Sequence, residues 1–104
     1  MAGTPGPIDE HREAIADLAR EHGVVRLEVF GSQVKGTATK ESDVDLLVAF
    51  TPASPVVYAE RYFSLQEALE ELLGRPVELI ELSQLTNPYF LEAIASSRVL
   101  LYAA

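Results

Sequence analysis

The sequence predicts an α/β (α+β) domain in which a small β-sheet carries helices packed on it. Two observations lead to that class. Apolar stripes at helical spacing alternate with short strand-like runs, in the order helix, strand, turn, strand, helix, strand, helix. The chain, at 104 residues, is long enough for one modest core and too short for two, so residues 1–104 are expected to form a single domain. Periodicity alone leaves strand pairing and direction open.

After a lead rich in Gly and Pro, "IDEHREAIADLAREHG" places Ile8, Ile15, Leu18, Ala19 and His22 at helical spacings, with Gly23 as a stop. "VVRLEVF" then alternates Val25, Leu27 and Val29 with Arg26, Glu28 and Phe30, a strand ending at Gly31. A short helical turn is expected from Ser32, followed by the polar loop "TATKES" and a second strand from Asp43 to Phe50. "TPASP" breaks the chain. In the helix that follows, Tyr58, Tyr62, Leu65, Leu69, Leu72 and Leu73 form one stripe; Glu67, Glu70 and Glu71 read as a solvated face, and Gly74 and Pro76 end it. "PVELIEL" is a third strand. Asn87 as N-cap and Pro88 at the first helical position open "PYFLEAIASSR", and the tail "VLLYAA" reads as a short edge strand or as extended chain.

Charge narrows the partners. Eight Lys and Arg against sixteen Asp and Glu give a net charge of −8, which opposes nonspecific attraction to a phosphate backbone, so general nucleic-acid binding is not expected. A small phosphorylated ligand is compatible with that total, because a bound divalent ion reverses the sign of the local field. No apolar run reaches membrane-spanning length, no signal-peptide pattern opens the chain, and there is no cysteine, so the expected location is the cytoplasm.

The chemistry concentrates in "FGSQVKGTATKESDVDLLV". Residues two apart on a strand point the same way, so Asp43 and Asp45 project together with Cα atoms roughly 6.5–7 Å apart. Two carboxylates so placed repel, and a divalent cation between them removes that cost; magnesium, completed by substrate phosphates, suits such oxygen donors. An isolated Asp-x-Asp more often marks a solvated strand start, and what precedes it here tips the balance. Gly31 at a strand end lets a ligand approach the backbone, and Ser32 opening a helical turn leaves amide groups where phosphate oxygens bind. Gly36 allows a tight exit, and Lys35 could add a point charge. Gly31 and Gly36 have P-loop spacing, but Thr37 follows directly where that motif requires lysine, so it is excluded. His11 and His22, about 16 Å apart on one helix, are too distant to share an ion.

Taken as a unit, Gly31-Ser32, Gly36, Ser42-Asp43 and Asp45 resemble the signature of the DNA polymerase β-like nucleotidyltransferases, and in particular of their minimal branch, the MNT proteins. The helix before the first strand, the "ELLGR" helix end and the third strand have counterparts there as well, so the resemblance covers nearly the whole chain. It implies the nucleotidyltransferase fold, a small mixed β-sheet flanked by helices. It also implies that Asp43, Asp45 and Glu78 are catalytic and hold magnesium, two ions in all, and that Gly31, Ser32, Gly36 and Ser42 hold the nucleotide, ATP. Glu78 stands where the family more commonly has aspartate. Parity agrees with that choice, because Glu78 shares a face with Ile80 and Leu82 while Glu81 points the other way.

The implied reaction moves a nucleoside monophosphate from ATP to an acceptor hydroxyl. The implied partner is a small helical HEPN-type toxin, one of whose tyrosines accepts AMP, with this chain as antitoxin. A second reading is an antitoxin that neutralises its partner by stoichiometric binding, motivated by Glu78. A free-standing transferase for a small molecule such as an aminoglycoside is a third, and it needs an acceptor site the sequence does not show. Self-association is the remaining partner question.

Overall fold

A computed structural model of the chain describes residues 7–30, 43–82, 87–94 and 98–104. Gly31, Ser32, Gly36 and Ser42, with the expected turn after Ser32, lie outside these residues. The predicted first helix is divided at His11 into α1 (Pro7–Glu10) and α2 (Arg12–Glu21). His11 sits at φ −110° and ψ 18°, outside helical geometry, yet its carbonyl still accepts from Ile15 N at 2.8 Å. Ile8, Ile15 and Ala19 therefore remain on one buried face. At the other end of α2, His22 is half-buried, bonding Leu18 O through Nδ1 at 2.7 Å and Ser64 Oγ through Nε2 at 3.2 Å, which links α2 to the next long helix.

Gly23, at φ 73°, turns the chain into β1 (Val24–Phe30). A Cβ there would meet the mobile Arg61 guanidinium at 2.9 Å, which can shift aside, so it is the left-handed backbone, a conformation L-residues avoid, that calls for glycine. The remaining elements are β2 (Val44–Phe50), α3 (Pro55–Leu73), β3 (Val77–Glu81), α4 (Pro88–Ile94) and β4 (Val99–Ala103).

The strands form one mixed sheet in the order β3-β2-β1-β4. β1 is antiparallel to both β2 and β4, and β2 is parallel to β3. A parallel pair needs a crossover, which α3 supplies between β2 and β3. The tail is thus an edge strand beside β1.

Alternation assigns the faces. Leu27 and Val29 of β1, Val44, Leu46 and Val48 of β2, and Val77 and Leu79 of β3 meet Ile15 and Ala19 of α2 and Leu65, Leu69 and Leu73 of α3 in the main core. Phe30 and Leu47 form a second cluster with Ile80 and Leu82 on the opposite face. That second face carries the acidic residues of interest.

"TPASP" proves to be a helix start as much as a break. Ser54 is the N-cap of α3, its hydroxyl accepting from Val57 N at 3.4 Å, with Pro55 in the first turn where its missing N–H costs nothing. Gly74, at φ 67°, closes the helix by donating to Glu70 O at 2.8 Å. Ser54→Ala is expected to cost about 1 kcal/mol, read as a lowered urea midpoint with unchanged slope. Asn87 caps α4 as the sequence suggests, its Oδ1 accepting from Tyr89 N at 2.9 Å. Among the described residues no helix is long and apolar enough to cross a membrane.

Candidate active site

On the second face, register sets three side chains in a lateral row. Asp45 of β2 is the Cα partner of Glu78 in β3 on one side and of Phe30 in β1 on the other. Phe30 is the last residue before Gly31-Ser32, so the strand that leads into the glycine-serine segment ends directly beside Asp45. Asp43 lies just before β2, exposed to solvent.

Asp45 and Glu78 are brought into contact, and the consequence is electrostatic. Burial pushes the Asp45 carboxyl above its ordinary value, the charge of Glu78 and a hydrogen bond with Glu78 push it further, and the charge of Asp43 adds to them. All these influences disfavour the Asp45 carboxylate. Among the described residues no three or more His, Cys, Asp or Glu side chains form a ready-made metal cluster.

The upward shift fixes a sign for stability. The folded state holds the Asp45 proton more tightly than the unfolded chain, so this group favours folding most below the unfolded value of 3.8 and that contribution is lost as pH rises through the higher folded value. A neutral asparagine escapes the penalty. Like charges on facing strand positions cost roughly 0.2–1 kcal/mol, so Asp45→Asn is expected to raise Tm by about 1–8 °C near pH 7, with the gap from the parent closing below about pH 4. Thermal unfolding of both proteins across pH checks it.

Glu81 is engaged elsewhere. It accepts from the Tyr58 hydroxyl at 2.8 Å, across the face that α3 covers. Burial, then the Glu81 hydrogen bond and charge, push the Tyr58 phenol up to about 12, so it stays protonated. Glu78 thus meets Asp45, and Glu81 meets α3.

Two features escaped the sequence reading. Glu28, which alternation groups with Arg26 and Phe30, is only 4% exposed. Arg98 grips it with Nε to Oε1 at 2.9 Å and Nη2 to Oε2 at 2.7 Å, and Arg26 Nε adds a bond to Oε2 at 2.9 Å. Burial raises the Glu28 carboxyl, but the bonds and charges of Arg98 and Arg26 outweigh it and hold the group below its ordinary value. Glu70 also departs from expectation: it leaves the solvated face, and its Oε2 accepts from Val77 N at 3.0 Å at the start of β3.

A small mixed sheet with carboxylates side by side on parallel strands, beside a strand that runs into Gly-Ser, is the frame of a phosphoryl-type group transferase. The chain belongs to the nucleotidyltransferase family, whose nucleotidyltransferase-domain model matches residues 8–101. It is similar to the protein adenylyltransferase MntA of Thermococcus cleftensis, 41% identical over 71 residues that make up 68% of this chain and 69% of that protein. A solved structure of a candidate minimal nucleotidyltransferase superposes with a TM-score of 0.70 at 37% identity, covering 86% of this chain and 88% of the other. An MNT antitoxin solved in complex with the tri-AMPylated HEPN toxin of Shewanella oneidensis shares the fold, with a TM-score of 0.60 at 15% identity over 91% of this chain and 71% of that one. The minimal nucleotidyltransferase fold expected from the resemblance is thus the fold observed.

Proposed function

We propose that this chain transfers AMP from ATP to a hydroxyl of a small helical HEPN-type protein, and so acts as that toxin's antitoxin. The observation that carries the reading is the lateral row: Asp45 between Glu78 and the strand end that leads into Gly31-Ser32. The name of the MntA relative and the AMPylated toxin held by an MNT antitoxin support the choice of AMP and of the partner class.

The donor set fits magnesium. Its oxygens are hard, two of its carboxyls already touch, and among the described residues the influences on Asp45 all push its carboxyl up, a repulsion a divalent cation would offset. Asp43, Asp45 and Glu78 would hold two such ions; when bound, they supply charge neutralisation on the phosphoryl oxygens and ease ionisation of the acceptor hydroxyl. Gly31 and Ser32, with Gly36 and Ser42, would bind the β- and γ-phosphates through main-chain N–H and hydroxyl groups. Glu78 would take the acceptor's proton as its oxygen bonds to the α-phosphorus; the bond from that phosphorus to the bridging oxygen breaks, and pyrophosphate leaves. The chain works in the cytoplasm on this reading, as one domain.

A second reading rests on Glu78 itself. A side chain one methylene longer than aspartate displaces its carboxylate, and about 1 Å of displacement can cost on the order of a hundredfold in rate. The protein would then neutralise its partner by contact. Incubating purified chain with ATP labelled at the α-phosphorus, magnesium and the protein encoded beside it separates the two. Label on a partner tyrosine, lost on omitting magnesium, supports transfer; neutralisation with no label on the partner leaves the binder.

A further inference from the structure

The polar side chains that α3 turns toward β3 recur every four residues, and each spends its hydrogen bond on that strand. Tyr58 O–H donates to the Glu81 carboxylate, Tyr62 O–H to Leu79 O, Gln66 Nε2 to Val77 O at 2.9 Å, and Glu70 Oε2 accepts from Val77 N at 3.0 Å. Spacing of four keeps these tips on one stripe of the helix. β3 is an edge strand, hydrogen-bonded on one side to β2. An edge strand has unpaired main-chain groups, and here Val77 N, Val77 O and Leu79 O are taken up by side chains.

The pattern brackets one residue. Both main-chain groups of Val77 and the carbonyl of Leu79 are tied to α3, and Glu78 lies between them, pointing to the other face against Asp45. We propose that Gln66 and Glu70, with Tyr62, are positioning residues that fix the height and register of β3 and thereby seat the Glu78 carboxylate beside Asp45 for proton transfer. The inference rests on the reading of Glu78 as a catalytic group. Alone, a glutamate on an edge strand has an adaptable backbone beneath a long side chain; clamping the backbone removes the first of these freedoms.

The chemistry of each link supplies a graded test. Glu70→Gln keeps an oxygen that can accept from Val77 N, and Glu70→Met removes it. Gln66→Glu preserves shape but replaces the donor facing Val77 O with an acceptor. With labelled ATP and the partner protein, Glu70→Met and Gln66→Glu are expected to lower kcat about ten- to hundredfold, as loss of supporting hydrogen bonds does elsewhere, with KM for ATP unchanged. Glu70→Gln restores kcat to within about threefold of the parent. Binding of Mn2+ alone, followed by its spin-resonance signal, is expected to weaken in the same order. Urea midpoints show that each variant is folded at the assay temperature.

Unchanged kcat and Mn2+ affinity in Glu70→Met and Gln66→Glu, beside a Glu78→Gln protein that has lost transfer, overturns the positioning role alone. The ladder would then merely seal the sheet edge. Full transfer by Glu78→Gln removes the group being positioned, and the inference falls together with the reading beneath it.

Discussion

Asp45→Asn is expected to abolish transfer of labelled AMP while leaving the protein folded and harder to melt. Loss of groups that only support a metal ligand costs roughly 10- to 100-fold, so loss of the proposed ligand at the centre of the row should exceed about a hundredfold. Asn keeps the shape and one acceptor oxygen, so packing against Phe30 and Glu78 is preserved and the change is confined to charge. The pairing of lost activity with gained stability is the discriminating result, because a misfolded variant loses both. Charge repulsion retained for chemistry produces this signature, whereas a solvated strand-end aspartate leaves transfer and melting unmoved. Rates of label transfer and melting curves on the same preparations decide it.

The second large effect concerns stability. Glu28→Gln removes the charge that two arginines converge upon, leaving Arg98 and Arg26 unbalanced beside a buried amide. Breaking a buried pair costs about 3–5 kcal/mol, and the partial exposure of both arginines places this case at the low end, about 3 kcal/mol. For a domain of this size that lowers Tm by about 10–20 °C. Glu28→Met/Arg98→Met should recover most of the loss, since apolar replacements of a whole pair are often neutral. The pH dependence is opposite to that of Asp45. With its folded value depressed, Glu28 contributes stability above the unfolded value of 4.5 and loses it as pH falls through the folded one. Urea midpoints of parent, single and double variants at about pH 3 and pH 7 test both statements.

These residues also show where sequence reading stops. The helices, the strands and the shared side of Glu78 with Ile80 are periodic signals, local in the chain and insensitive to what packs on them. Glu28 follows the period of two, which says nothing of what covers its face; its partner lies seventy residues away in Arg98, and no local pattern encodes that meeting. Glu70 and Gln66 were equally opaque, because their targets are main-chain atoms of another element, which no side-chain pattern advertises. By contrast, the Ser54 cap was legible in principle: Ser-Pro ahead of an amphipathic run is a helix start as well as a chain break. The helix interruption at His11 has no such marker, since neither glycine nor proline occurs between Ile8 and His22. For the proposed phosphate-binding segment there is the motif alone, since residues 31–42 fall outside the described part of the structure.

The pairing of β1 with β4 has a cost during synthesis. β1 pairs with β4 through contacts such as Arg26 with Ala103, so the flank of β1 that β4 covers stays bare until residues 99–103 have left the ribosome. Pairings this distant are slow to form and leave strand edges exposed to aggregation in the interval. A nascent chain stalled before residue 98 would carry the Glu28 charge with no Arg98 to meet it, a vulnerable intermediate whose capture by chaperones should end abruptly once β4 emerges.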